Sequence, residues 1–561
     1  MKVIKFLSFF LIIMLSQNLF AQTNTELIDK AYNAYYKENN WTKASELFSE
    51  LKKLNPTYPD YTVRLAFAYY RNHKYEKAIS ALKDALEIGP WPDIYCNYIA
   101  ASYARLKKPD KAMYWLQKSI DAGWPKYLSL QKDKDFDIIR NRPEYKKIFG
   151  IKENIDTTDP VRRWRADLDF IMEKMKLLHY NMYNTNPPGV WNALYSKIYK
   201  NIPDMSSEKI ILNFMELAAL AGEGHTKVLP PESGPMAFHS LPIELYYFKD
   251  GFFVEKAIKK YKDLVGKKVI SIGSKGVDEL FKKCFVYRGN DNKMHYIKMV
   301  PRYLVMMEAL KDMGAVNELD KINLRVENSN GKVKDETVES MTMNKIDDFP
   351  ENEWVSMNSS SMNPLPLYLK DSEKDFWFEY QPKHNLIYAH IHYIVNNNQI
   401  RFSGFVDSLF KTIDRQHIKN LVLDLRNCGG GNSEYNKFLI EALLQHPEIN
   451  QKKHFYTIIG RETFSAAINL VTDLEYRTNT IFVGEPTGSK PDFIGESSVL
   501  KLPYSGLYLV ISNRYHQGGA NNSLDKRPWI APSILIQLTS KEYTENDDPL
   551  MDFLDKQMGS D

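Results

Sequence analysis

The sequence predicts a multidomain protein in which an all-α repeat array precedes an α/β core that carries a β-rich insert. Three observations predict it. Related residues recur every 34 positions between residues 41 and 112. Short β-like runs fill 240–340, after a helical stretch. Residues 380–545 then alternate buried strand-like runs with helical ones. A chain of 561 residues is also too long for one hydrophobic core, so about two to four domains are expected.

The elements follow in order. Lys2 and Lys5 precede an apolar run from Phe6 to Leu15, and Leu19-Phe20-Ala21 ends in a small residue before Gln22. Residues 1–21 read as a signal peptide cut after Ala21, with an uncleaved anchor as the alternative, so the expected location is periplasmic or secreted. No cysteine follows the apolar run to take a lipid, and no later run of about 20 apolar residues would hold the mature chain in a membrane. Cys96, Cys284 and Cys428 lie far apart with no CxxC pair, against a disulfide scaffold or zinc knuckle.

Residues 22–150 read as helical repeats. Trp41, Tyr75 and Pro109 are spaced by 34, as are Ala44, Ala78 and Ala112, with Lys43, Lys77 and Lys111 before them. Pro56 and Pro90 close the first two units, and Pro125 and Pro143 punctuate a helical cap that runs to about Gly150. Small residues at a helix crossing let the partner helix approach closely. The pattern resembles the tetratricopeptide repeat, which implies a curved surface for a protein or peptide partner.

Residues 155–235 read as helices: Leu168, Ile171, Met172, Met175 and Leu178 keep helical spacing, and a second run from Ile210 to Leu220 ends at Ala221-Gly222-Glu223-Gly224-His225-Thr226. Over 240–340, the stretch Asp263-Leu264-Val265-Gly266-Lys267-Lys268-Val269-Ile270-Ser271-Ile272 resembles a PDZ core, in which a glycine turn leads into a strand. Residues 341–378 are polar and read as a linker with little regular structure. Residues 379–545 read as the α/β core and 546–561 as a tail.

Two local sequences carry chemistry. Asp424-Leu425-Arg426-Asn427-Cys428-Gly429-Gly430-Gly431 ends a strand in an arginine and a glycine triplet. Glycines let backbone N–H groups face a cavity with no Cβ in the way, as an oxyanion hole needs. Thr463-Phe464-Ser465-Ala466-Ala467 opens a helix. Alone, such a serine reads as a helix cap, yet the same position can set a nucleophile beside backbone donors.

In combination these stretches resemble the serine peptidase family of tail-specific (C-terminal-processing) proteases and the tricorn core. The order is DLRxxGGG, a Ser-Ala helix start about 35 residues on, then Val483-Gly484-Glu485-Pro486-Thr487-Gly488. Gly222-Glu223-Gly224-His225-Thr226 matches the family's GDGHT element, with Glu223 for the usual Asp, and the likeness spans about residues 160–540. It implies Ser465 as nucleophile and the N–H groups of Gly430 and Ala466 as oxyanion donors. Two bases are open. His225 stands where tricorn-like members carry their histidine, with Gly224 in place of their preceding serine. Lys490 lies 25 residues after Ser465, the dyad spacing, but in Gly488-Ser489-Lys490-Pro491 rather than Phe-Gly-Lys-Gly, with Ile494 where a glutamine is expected. The implied acid is Asp525, ahead of Trp529-Ile530-Ala531-Pro532-Ser533, with Glu496 competing.

The resemblance thus implies an exported serine peptidase acting on peptides or unfolded chain ends. A catalytically inactive binder of peptides or apolar ligands, or a repeat-based scaffold, is the competing reading. The net charge of +4 gives no argument for nucleic acid or anionic membrane. HExxH, a P-loop and a dinucleotide fingerprint are absent, so no metal or other cofactor is expected. His390 and His392 share a strand face but lack a third ligand partner.

Overall fold

The computed structural model describes residues 27–558, apart from 37, 90, 123, 125–129, 131, 149–157, 360, 362, 398–399 and 519–524. The expected signal peptide, Pro90 and Pro125 lie outside the described residues. The chain divides into two compact units: a helical N-terminal unit that takes in Ser498–Pro503, and a second formed by Thr157–Ser497 and Tyr504–Asp561.

In the first unit the 34-residue period becomes helices. Trp41–Leu54, Tyr75–Ile88 and Pro109–Asp121 begin at the repeating positions and alternate with Pro59–Arg71 and Pro92–Arg105. Proline opens three of these helices, at the position where its missing N–H costs nothing. Ala44, Ala78 and Ala112 are wholly buried. Phe48, Leu51 and Leu65 pack with Ala44 in one cluster, and Val63, Leu82, Tyr95 and Ile99 in the next.

The second unit starts with the helices Pro160–Leu178, Pro188–Asn201 and Ser207–Ala219. The insert that follows is an antiparallel sheet ordered Trp354–Ser356, Gly251–Ile258, Lys268–Ile272, Lys321–Glu327, Val333–Glu339, with Ile243–Phe248 also on Gly251–Ile258. The region read as a linker therefore supplies a strand. Trp354 pairs with Ile258 and Ser356 with Lys256, a long-range register that no local periodicity announces.

The core is a six-stranded sheet ordered Phe376–Gln381, Leu386–Ile391, Asn420–Asp424, Phe455–Ile459, Ile481–Gly484, Ile534–Leu535. The first pair is antiparallel and the rest are parallel. Parallel strands are covered on both faces, so they are apolar throughout. Ile387, Ala389, Leu421, Leu423 and Phe455 meet the helices Phe402–Gln416, Asn436–Gln445 and Ala466–Arg477 on one face. Tyr388, Val422, Tyr456 and Val483 pack on the other face against Leu550 and Leu554. Those two leucines belong to Pro549–Met558, so the stretch read as a tail contains a helix that closes the second face. Among the described residues no helix is long and apolar enough to cross a membrane.

Candidate active site

The loops that carry the sequence motifs leave the carboxyl ends of adjacent parallel strands, where open α/β sheets place their ligands. Asp424 ends one strand, Ile459 the next and Gly484 the third. Arg426 folds back on its own strand. Its Nε donates to Asp424 Oδ2 at 2.8 Å, while Nη1 and Nη2 reach the two Asp548 oxygens at 3.2 and 2.9 Å. Thr463 ties the serine turn to this loop, with Oγ1 donating to Leu425 O at 2.7 Å and accepting from Gly460 N–H at 2.9 Å. Phe464 N–H donates to Cys428 O at 3.1 Å.

Ser465 precedes the helix Ala466–Arg477 with φ 57° and ψ −125°, and its side chain makes no capping bond. A side chain with a Cβ in the positive-φ region is strained, and such strain clusters at functional positions. Ser465 Oγ forms no hydrogen bond with a described residue. The N–H of Ala466 is the first of the helix and has no backbone acceptor among the described residues, as expected of a helix start. Gly430 lies directly behind. With φ 112°, a Cβ built on it would stand 2.8 Å from Ser465 Cβ and 3.0 Å from Ala466 N, so only glycine permits this approach. Burial pushes the neighbouring Cys428 thiol up to about 12, and the Gly430 N–H, turned toward that sulfur, works the other way.

His225 is brought to this turn. Its ring stacks on Phe464, the residue before Ser465, at 4.6 Å between centroids, and on Phe493 at 5.8 Å. Ring contacts continue from Phe464 to His295 at 4.8 Å and from Phe493 to His516 at 4.7 Å. Burial brings His225 down to about 4, against the Glu223 carboxylate and with the help of Lys227, His516 and Arg288, so the imidazole is neutral near pH 7. Its Nδ1 is buried without a hydrogen-bond partner and lies 3.9 Å from Glu223 Oε2.

Glu223 occupies the centre of the GEGHT turn. It accepts from the His225 N–H at 2.5 Å and the Thr226 N–H at 2.9 Å, and its Oε1 lies 3.4 Å from His179 Nε2. Burial alone would raise it, yet the His179 bond, the His225 charge and the Thr226 bond bring the carboxyl down to about 2. His179 Nδ1 accepts from the Asn181 N–H at 3.1 Å, which leaves Nε2 to donate.

The segment 288–295 of the insert completes the surroundings. Arg288 Nη2 donates to Gly224 O at 2.7 Å. Asp291 is buried and accepts from Ser489 Oγ at 3.3 Å. Burial and the Glu223 charge push its carboxyl up to about 7, against Lys490, Ser489 and the Gly224 N–H. A Cβ on Gly224 would stand 2.4 Å from His295 Cε1, so the glycine in place of a serine makes room for a second imidazole.

The remaining sequence candidates fall as follows. Lys490 is part-exposed near Asp291, on a loop whose Gly488 N–H donates to Thr463 O at 3.1 Å, and it makes no ion pair among the described residues. Asp525 is not at His225. Both of its oxygens are taken by Arg527, with Nη2 at 2.7 Å, and its N–H donates to Asp492. The carboxylate beside the imidazole is Glu223. Glu496 is exposed. His390 is buried in the sheet with Nε2 unpaired and Nδ1 4.0 Å from Asp424 Oδ2, and His392 packs edge-on against it at 4.5 Å between ring centroids. Among the described residues, Asp414, His446 and Glu448 bring three possible ligand atoms within 4.8 Å of one another, with both acids exposed. Sequence reasoning missed Asp291, His179 and His295. None belongs to a motif, and each enters through tertiary packing.

In its fold the chain is similar to solved structures of CPAF. The solved structures that the chain resembles include a crystal structure of a CPAF mutant, at TM-score 0.51 and 10% identity, covering 72% of this chain and 98% of that one. Mature CPAF gives TM-score 0.50 and 11% identity over 71% and 96%. The photosystem II D1 C-terminal processing protease gives TM-score 0.35 and 13% identity over 71% and 98%. No family model and no curated protein matches the chain.

Proposed function

We propose that the chain is a serine peptidase with Ser465 as nucleophile and His225 as its base. The observation that carries this reading is the backbone of Ser465: a strained, uncapped serine at a helix start, with Gly430 against it and His225 stacked on the preceding ring. A mere cap has no use for that conformation. In this reading Ser465 Oγ attacks a peptide carbonyl, and His225 takes the proton and returns it to the leaving amine. The Ala466 N–H receives the oxyanion, joined by Gly430 N–H once it turns from the Cys428 sulfur. Glu223 holds the His225 backbone and lends its charge to the imidazolium. The overall likeness to the tail-specific protease fold supports the same activity class.

The helical unit is read as tetratricopeptide repeats that recruit a protein partner or substrate, and the insert as a PDZ-like module that holds a peptide as an added strand. The N-terminal sequence supports export to the periplasm or beyond. A binding protein of the same fold is the second reading, favoured by one observation: Asp525 is held by Arg527 and does not support His225. A fluorophosphonate probe separates the two. Covalent labelling of wild type, lost in Ser465→Ala with a fall of at least about a thousandfold in peptide hydrolysis, supports the peptidase. An unlabelled, folded wild type overturns it.

A further inference from the structure

Two helices that cover one face of the core sheet, Phe402–Gln416 and Asn436–Gln445, bring their carboxyl ends together. The Phe410 ring of the first packs on His446, the residue that ends the second, at 4.5 Å between ring centroids. Asp414 stands in the last turn of the first helix, and Glu448 follows just past the second. Helix carboxyl ends carry partial negative charge, which disfavours acids there. Neither acid has a lysine or arginine within ion-pair distance among the described residues.

The imidazole between them is held in one orientation. Its Nδ1 lies 2.6 Å from Ala442 O. A carbonyl only accepts, so Nδ1 carries the proton and a neutral ring presents its Nε2 lone pair outward. That lone pair faces Asp414 Oδ1, another acceptor, at 3.4 Å. Two acceptors so placed need a positive charge between them, either a second ring proton or a metal ion. A proton serves one pair. Here a third acceptor joins, because Glu448 brings a carboxylate oxygen within 4.8 Å of both other atoms. The backbone that carries His446 and Glu448 is fixed. Pro447 stands between them, Ile449 is wholly buried, and the His446 carbonyl accepts the N–H groups of Ile449 and Asn450 at 3.1 and 3.0 Å.

We propose that Asp414, His446 and Glu448 bind a zinc ion that joins the ends of these two helices. An imidazole with two carboxylates suits zinc better than calcium or magnesium, which take oxygen ligands alone. Around tetrahedral zinc, with bonds of about 2.0–2.2 Å, ligand atoms stand about 3.3–3.6 Å apart. The His446–Asp414 separation already has that length, and the exposed Glu448 side chain is free to close the third edge. A histidine whose other nitrogen donates to a backbone carbonyl is the usual form of a zinc-binding histidine. Solvent takes the fourth position. The ligands come from two separate helix ends, so no local motif announces them. The site is independent of the peptidase reading.

The test uses the untagged full chain, stripped of metal with EDTA and dialysed, with zinc chloride as the probe. Isothermal titration calorimetry is expected to show a zinc equivalent whose binding weakens at least about tenfold in each of Asp414→Asn, His446→Gln and Glu448→Gln, since loss of an outer partner alone costs about 10–100-fold. Circular dichroism is expected to stay native. Glu448 is exposed and outside both helices, so its variant keeps the test valid where His446→Gln disturbs the helix end. Zinc is also expected to raise the thermal midpoint of wild type and to leave that of Glu448→Gln unmoved. No zinc binding, or binding equal in wild type and all three variants, would overturn the site. Binding that falls in Asp414→Asn and His446→Gln but not in Glu448→Gln would overturn it as well, because the three-ligand centre would then reduce to a histidine–aspartate pair.

Discussion

At the scale of single residues the site is governed by close approach and by burial. The Gly430 position tolerates no side chain, because a Cβ would press on Ser465 and on the Ala466 N–H. Gly430→Ala is expected to slow fluorophosphonate labelling by about a hundredfold or more, the usual effect of spoiling one oxyanion donor, while circular dichroism stays native. Burial sets the pH behaviour. His225 stands at about 4 in the folded chain, below its ordinary value near 6.5. As base it must be neutral, so the acid limb of the labelling rate is expected near pH 4 rather than 6.5. In the same window the unfolded chain binds the extra proton, so stability falls as pH drops from about 6.5 to 4. Glu223 adds a second loss below that. Its folded value of about 2 lies under the unfolded one, so its stabilisation is present above about pH 4.5 and fades toward 2. A pH–rate profile with its acid limb at 6.5 would refute the desolvated imidazole.

At the scale of elements, the alternation of strands and helices over 380–545 was legible because parallel strands such as Asn420–Asp424 are covered on both faces and run apolar through their middle. The Gly-rich stretch and the Ser-Ala start were visible as local sequence, and their meeting at Gly430 and Ser465 follows from their places at neighbouring strand ends. What local pattern could not show is pairing at a distance. Trp354–Ser356 becomes a strand only because Gly251–Ile258 offers it an edge. Asp291 and His295 reach the site because the insert folds back on the Gly224 turn. Pro549–Met558 lies in the stretch read as a tail, yet Leu554 is fully buried under the sheet. Leu554→Ala is expected to cost about 2–5 kcal/mol, read as a lowered denaturant midpoint. A midpoint unchanged from wild type would return this helix to the status of a tail.

At the scale of the whole molecule, each of the two units contains hydrophobic clusters of its own. The helical one rests on its repeated alanines, of which Ala78 is wholly buried between helices. Ala78→Leu is expected to cost about 1–3 kcal/mol through overpacking, seen by calorimetry, while labelling at Ser465 stays within about twofold of wild type. A parallel collapse of labelling would mean that the repeats take part in building the catalytic centre.

The torsion angles at position 465 have an evolutionary reading. Holding any residue with a β-carbon at φ 57° costs about 1–3 kcal/mol, and glycine, a single codon step from some serine codons, would remove most of that burden. A lineage that had abandoned hydrolysis and lived by ligand capture would gain stability from that replacement. The hydroxyl held at this position is, in that light, a thermodynamic loss borne by the residue that the proposed mechanism uses as its nucleophile.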